Sequence, residues 1–364
     1  MFANFSSGYL EARGKFVLAA HEAGATIHSY LQPDLTGKDG EPLACDVAVL
    51  GPSNAETAYI IISGTHGAEG YCGSAIQHRW LVTSGRTAPQ VGARIVLVHA
   101  VSPWAFSYQT RTTENNVDLN RNFLSHSSDR STSNPGYDLL APFLHTKAYS
   151  SADCLEAWRG YRSCLDQNGA HIENELLAGQ SHQPDGLFYT GTSPEWANGC
   201  FRQIINDHLA GAEQIGFVDW HTGVGSYGEI VYLCFDDPSS AEYQAAADWW
   251  TFKKTEHEAF SAGSVPQYNG LLCQAIRQQL PTAKIAGAVI EFGTGDAYSV
   301  FRSDRLDRWL RFEGSHDVNY ARHRRDYCNA ICPDELAWRA HVLEQGPLII
   351  DRMIAGLSHK RLLA

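Results

Sequence analysis

Short apolar runs closed by Gly, Pro or Asn alternate along this chain with longer stretches whose apolar residues recur at helical spacing. No other feature narrows the fold so far, because a strand that is apolar at nearly every position must be covered on both faces, and the intervening helices are what cover it. The expected strands are Ala44–Leu50, Ala58–Ser63, Ala93–Ala100, Ile215–Asp219, Glu229–Phe235 and Ala286–Phe292. The expected helices are Ser6–Ala23, Glu69–Ser84, Leu155–Leu177, Pro194–Ala210, Ala241–Ala259 and Asp334–Leu357. The pattern is that of an α/β sandwich with a largely buried sheet.

At 364 residues the chain is long enough for two domains of about 150, yet it shows no internal repeat and no Pro/Gly/Ser linker. We read residues 1–364 as one domain. Its least strand-like stretch, about 124–194, has the polar start of an insertion or an active-site loop. The formal charge of −12 has the wrong sign for tracking phosphate backbones or anionic lipid, which argues against nucleic-acid and membrane-surface partners. No run of about 18 apolar residues offers a membrane span, and the start MFANFSSGYLEARGKF lacks the basic and apolar segments of an export signal. The nine cysteines are scattered rather than framed, so reduced thiols in a cytoplasmic protein are expected.

The 16 histidines invite a search for metal ligands. In AYIIISGTHGAEG, His66 and Glu69 follow a strongly apolar run within a Gly-rich turn, at the carboxyl end of a strand where open α/β sheets place their ligands. The spacing alone says little: 16 His and 19 Glu produce about one His-x-x-Glu by chance. A second example exists, His341 and Glu344, but it sits in a helical pattern as an ordinary pair three residues apart on a solvated face. What distinguishes His66 and Glu69 is the strand end, the glycines at 64, 67 and 70, and a compatible third ligand. His221 follows another buried-strand pattern in IGFVDWHTGVG and can reach the same sheet edge; otherwise its ring is satisfied by local backbone. Two His and one Glu are the donor set of hydrolytic zinc sites, which leave one position open. Gly223, Gly225 and Gly228 also spell G-x-G-x-x-G, but the strand-like EIVYLCF follows where a dinucleotide site needs a helix. Cys328 and Cys332 lack the second cysteine pair of a zinc finger and are read as ordinary thiols.

Between the metal candidates lies a long polar loop, HAVSPWAFSYQTRTTENNVDLNRNF. Its Asp118-Leu119-Asn120-Arg121 cluster sets an Arg fork beside an amide, a pair able to grip a carboxylate. Arg111 can stabilise a developing oxyanion. The bland alternative is that Asn116, Asp118 and Asn120 make turns while Arg121 pairs with an acid.

Taken in series, His66-x-x-Glu69, Arg111, Asp118-Leu119-Asn120-Arg121-Asn122-Phe123, His221 and Glu291 in AVIEFGTG resemble the zinc carboxypeptidases, especially their bacterial carboxypeptidase-like branch, over roughly Leu43–Thr294. Aspartoacylase and succinylglutamate desuccinylase are more distant relatives with a similar site. The resemblance implies a mixed, mostly parallel central sheet with helices on both faces, an α/β/α sandwich. It implies Zn2+ on His66, Glu69 and His221, a substrate carboxylate held by Asn120 and Arg121, and oxyanion stabilisation by Arg111. Asp118 matches the residue that orients the first zinc histidine, and Glu291 matches the general base that works with zinc-activated water. Burial at its strand end would raise the Glu291 pKa. Two departures are Ser102-Pro103-Trp104-Ala105-Phe106, where relatives carry Asn-Pro-x-Gly-Phe, and the mobile tyrosine of the digestive enzymes, for which Tyr268 and Tyr298 are weak matches.

The resulting expectation is a zinc metallopeptidase that cleaves an amide beside a free carboxylate, with a small peptide as substrate. The alternative is an amidohydrolase acting on N-acyl amino acids, and a third is a metal- or peptide-binding protein without catalysis. The occupied catalytic positions disfavour the third.

Overall fold

The structure, a computed structural model, describes residues 2–87, 92–126, 133–252 and 269–359. Seven strands form one sheet: β1 (Thr26–Thr36), β2 (Pro42–Leu50), β3 (Thr57–Ile62), β4 (Arg94–His99), β5 (Gln214–Gly223), β6 (Ile230–Leu233) and β7 (Lys284–Gly293). Their order is β1-β2-β4-β3-β5-β7-β6. The inner strands β4, β3, β5 and β7 are parallel to one another, β2 runs antiparallel to β1 and β4, and β6 runs antiparallel to β7. Twelve α-helices accompany them in the described residues: α1 (Tyr9–Glu22), α2 (Gly70–Trp80), α3 (Pro103–Tyr108), α4 (Pro135–Leu144), α5 (Ser151–Asn168), α6 (His171–Ala178), α7 (Trp196–Leu209), α8 (Ala241–Trp250), α9 (Leu272–Gln279), α10 (Ala297–Phe312), α11 (Tyr320–Ile331) and α12 (Leu336–His359).

Alternation along the strands divides the core in two. Tyr59 and Ile61 of β3 face a cluster with Phe16 of α1, Trp80 of α2, Trp250 of α8 and Met353 of α12, whereas Ile60 and Ile62 face Phe201 and Ile204 of α7 and Ile276 of α9. Helices thus cover both faces, as expected. A third cluster stands apart: Tyr137, Leu140 and Leu144 of α4, Tyr161 and Leu165 of α5, and Ile172 and Leu176 of α6 close on Leu187, Phe188 and Phe301 of α10.

All six expected strands are present, and β5 and β7 run on at their carboxyl ends beyond their apolar patterns. β5 and β7 continue through Gly223 and Gly293, so His221 and Glu291 lie within the ladder, directly opposite each other. β1 was not expected. It is an edge strand with Gln32 its one buried residue and Pro33 within it, so it carries no apolar alternation to read. The expected helix Leu155–Leu177 is two, because Gly169 at φ 92° ends α5 before α6 begins. α8 ends at Trp250, and residues 253–259 of the expected helix lie outside the described residues. Among the described residues, no helix is long and apolar enough to cross a membrane.

Candidate active site

The carboxyl ends of β3 and β5 supply the centre of the site. β3 stops at Ile62, and the chain turns through Gly64 at φ 76°, where a Cβ would meet that of Ala100 at 2.7 Å; only glycine tolerates both conditions. Gly67 lies so close to the Ala105 carbonyl that any side chain would collide with it. This tight turn brings His66 and Glu69, the residue that opens α2, against the end of β5.

There the imidazoles of His66 and His221 meet edge to face, with centroids 4.9 Å apart. His66 Nδ1 is 2.8 Å from Glu69 Oε1, and His221 Nδ1 is 3.0 Å from Glu69 Oε2. One ligand atom from each of the three buried side chains lies within 4.8 Å of the others, a group able to hold a metal ion. The outward nitrogens are also engaged: His66 Nε2 lies 3.0 Å from Asp118 Oδ1 and His221 Nε2 lies 2.9 Å from Asp219 Oδ2. A carboxylate behind each ring fixes its tautomer and leaves both Nδ1 atoms facing one point, the arrangement that metal-binding histidines favour. The donor set fits Zn2+ in type and number.

The surrounding charges are tightly coupled. Burial alone would push the Glu69 carboxyl up, but His66 and His221 hold it well below the usual carboxylate range. Burial likewise opposes ionisation of Asp118, and Arg111 and His66 overcome it. His221 is raised well above the ordinary imidazole value because Asp219 and Glu69 outweigh desolvation. Glu291 shifts the other way, to about 7, through burial and the adjacent Glu69 charge, with His221 and the Val224 N–H opposing. Its Oε2 accepts from Val224 N at 3.4 Å.

Arg111 donates from Nη1 to Glu69 Oε1 at 3.1 Å and from Nη2 and Nε to Asp118 Oδ2 at 3.0 and 3.3 Å. Asn120 Oδ1 accepts from Leu272 N at 2.8 Å, while Arg121 donates from Nε to Leu177 O at 2.6 Å and lies over the Phe188 ring. His66, Glu69, Arg111, Asn120, Arg121, His221 and Glu291 all line one inner pocket of about 90 Å³, with Asp118 directly behind it. The expected site residues are therefore brought together. Tyr298 is elsewhere, packed on Trp158 at 5.8 Å, and Tyr268 lies outside the described residues. His341 of α12 packs on Phe292 of β7 and Glu344 is exposed, and neither lines the pocket.

Three neighbours escaped the sequence reading. Asp219 was legible, since residues two apart on a strand share a face, and an Asp-x-His at a strand end puts the carboxylate behind the ring. Asp307 of α10 was not: it accepts from Thr110 Oγ1 and Arg111 N at 2.9 Å and from Arg324 Nη1 at 2.8 Å, anchoring the Arg111 loop across nearly 200 residues of sequence. Asp304, one turn before it, reaches the pocket wall.

Among solved structures, bovine thrombin-activatable fibrinolysis inhibitor, in complex with tick carboxypeptidase inhibitor, aligns over 98% of this chain and 98% of its own at 10% identity and a TM-score of 0.51. Carboxypeptidase A from Helicoverpa armigera aligns over 92% of this chain and 76% of its own, at 11% identity and a TM-score of 0.46. A metallo-carboxypeptidase from Burkholderia cenocepacia aligns over 81% and 66%, at 12% and 0.39. The first likeness makes the fold metallocarboxypeptidase-like, in agreement with the motifs. No curated protein sequence matches the chain. A family profile matches residues 5–345, and the chain belongs to that family, described as protein of unknown function (DUF2817).

Proposed function

We propose that this protein is a zinc-dependent hydrolase of carboxypeptidase type, cleaving an amide beside a free carboxylate. The observation that carries the reading is the convergence of His66, Glu69 and His221 with Glu291 opposite His221 in the next strand. His66, Glu69 and His221 hold the ion, which when bound supplies a Lewis acid for the amide carbonyl and lowers the pKa of a water.

The chain's own groups account for the remaining steps. Glu291, with a carboxyl near neutrality, takes a proton from the attacking water on its Oε and returns it to the departing amide nitrogen. Arg111, at the pocket wall, turns its Nη donors towards the developing oxyanion. Arg121 and Asn120 orient the substrate carboxylate, so that the scissile carbonyl faces Glu291. The acidic background makes this local positive charge necessary for any anionic substrate end. Segments on both sides of 124–194 furnish the pocket, which supports reading the chain as one domain.

Metal analysis of the purified protein, with activity assays on C-terminally free peptides and N-acyl amino acids, tests the reading. About one zinc per chain and peptide cleavage are expected, with both lost in His66→Ala. Turnover of N-acyl amino acids alone would replace it with the amidohydrolase reading, and tight binding without any turnover with the binding-protein reading.

A further inference from the structure

Beside the inner pocket lies a far larger chamber, about 860 Å³, bounded by α5, α6 and α10 and by the loop 224–229 that follows β5. The two cavities share Leu177, Phe188, Val224, Val300 and Asp304, so a substrate with its carboxylate at Arg121 extends its other end into the chamber. Three rings form one wall: Trp158 stacks on Tyr161 with centroids 5.6 Å apart, and Phe301 sits 5.1 Å from Trp158 and 5.2 Å from Tyr161. Among the described residues the lining includes Glu173, Glu229, Asp296 and Asp304 and no Lys, Arg or His, while Arg162 lies 5.8 Å from the Trp158 ring and Arg305 5.7 Å from the Phe301 ring.

Three of those acids are already employed. Glu173 accepts from the Tyr161 hydroxyl at 2.8 Å, Glu229 accepts from Ser226 N at 2.8 Å, and Asp296 caps α10 by accepting from Ser299 N at 2.9 Å. Asp304 differs, having no hydrogen bond or ion pair among the described residues. Burial and the negative charges of Glu69, Asp307 and Asp118 push its carboxyl up to about 6, against the pull of Arg111, so it is still mainly an anion at neutral pH. Arg111 makes no hydrogen bond or close ion pair with it, since the guanidinium's contacts run to Glu69 and Asp118, and its charge reaches Asp304 only at longer range. A half-buried carboxylate without a partner is costly to a fold, and a ligand that supplies the counter-charge recovers that cost.

We propose that Asp304 and the aromatic wall form a subsite for a cationic group, an ammonium or guanidinium, on the acyl side of the substrate. The carboxylate supplies a charge-assisted hydrogen bond to the cation, and the aromatic wall packs against its alkyl stem. The same charges repel an acidic acyl group, which directs the site towards peptides with a basic residue before the scissile bond and away from succinyl- or aspartyl-type substrates. Only the identification of the acyl side rests on the hydrolase reading.

Binding of N-acetyl-Lys-Leu and N-acetyl-norleucyl-Leu, two dipeptides differing in the ammonium, tests this by calorimetry on the zinc-loaded Glu291→Gln protein. The lysine peptide should bind about tenfold more tightly. Asp304→Asn should bring that ratio to within about twofold, and Asp304→Glu should keep most of it. Equal affinities in the parent protein, an unchanged ratio in Asp304→Asn, or no measurable binding of either peptide overturns the proposal. Should Asp304→Asn fail to fold, loss of the parent protein's preference in high salt carries the test. Hydrolysis of the same peptides by the wild type is a separate readout: selective binding without cleavage leaves the subsite standing and removes the peptidase reading.

Discussion

The inner pocket and the chamber beside it are built on different principles. At the sheet end, His221 and Glu291 are fixed by the register of β5 and β7, and His66, Glu69, Asp118 and Arg111 are each held by two or more polar partners within 3.3 Å. The chamber is walled by the loop 224–229 and by α5, α6 and α10, helices whose positions come from apolar packing among Tyr161, Leu165, Ile172, Leu176 and Phe301. Hydrogen-bonded carboxylates and a ladder hold atoms to fractions of an ångström, which bond making requires. Packed helices hold a volume and let its lining change residue by residue, which suits selection among substrates. On the function proposed above, chemistry and preference are carried by separable parts of the chain.

The largest expected effect tests the first half of that contrast. Glu291→Gln should lower kcat by about 10²- to 10⁴-fold, the typical contribution of a positioned general base, with zinc content unchanged because the residue is not among the three ligands. Activity surviving this change would place the chemistry elsewhere. The next tests the second half. Leu140 is fully buried in the core of α4–α6, and Leu140→Ala should cost about 2–5 kcal/mol through lost burial and a residual cavity. Amide exchange should accelerate in α4, α5 and α6 while β3, β5 and β7 keep their protection. Uniform acceleration would mean that the helical layer and the sheet open as one unit.

Legibility follows the same division. The strands of the sheet, the metal triad and the Asp118–Arg121 loop were readable because each lies next to its own signal: an apolar run, a Gly-rich turn, an Asn between two charged residues. β1 was hidden because an exposed edge shows no alternation. α4 and α10 were hidden because each finds its apolar partners only in three dimensions, as Leu140 shares a buried cluster with Leu176 and Phe188, or Phe301 meets Trp158. Asp304 and Asp307 share that fate. Their neighbours Arg111 and Thr110 are nearly 200 residues away in sequence, and periodicity within α10 identifies no such partner.

A smaller effect sharpens how the pocket achieves its precision. Asp219 lies on β5 opposite Ile62 of β3, receives the Thr65 hydroxyl on Oδ1 at 2.8 Å and faces His221 Nε2 from Oδ2. Asp219→Asn keeps an oxygen in that place but removes the charge that makes the imidazole a stronger donor to metal. Zinc affinity should therefore weaken by about 10- to 100-fold, measured by competition with a chelator, less than for His221→Ala, which deletes a ligand outright. The choice of Asp219 over Asp118 matters, because Asp118 also binds Arg111 and its loss would disturb two functions together. Wild-type affinity in Asp219→Asn would show that the β5 ladder alone aims His221. A measured loss would show that strand register brings the ring to the site and the carboxylate behind it sets its strength as a ligand.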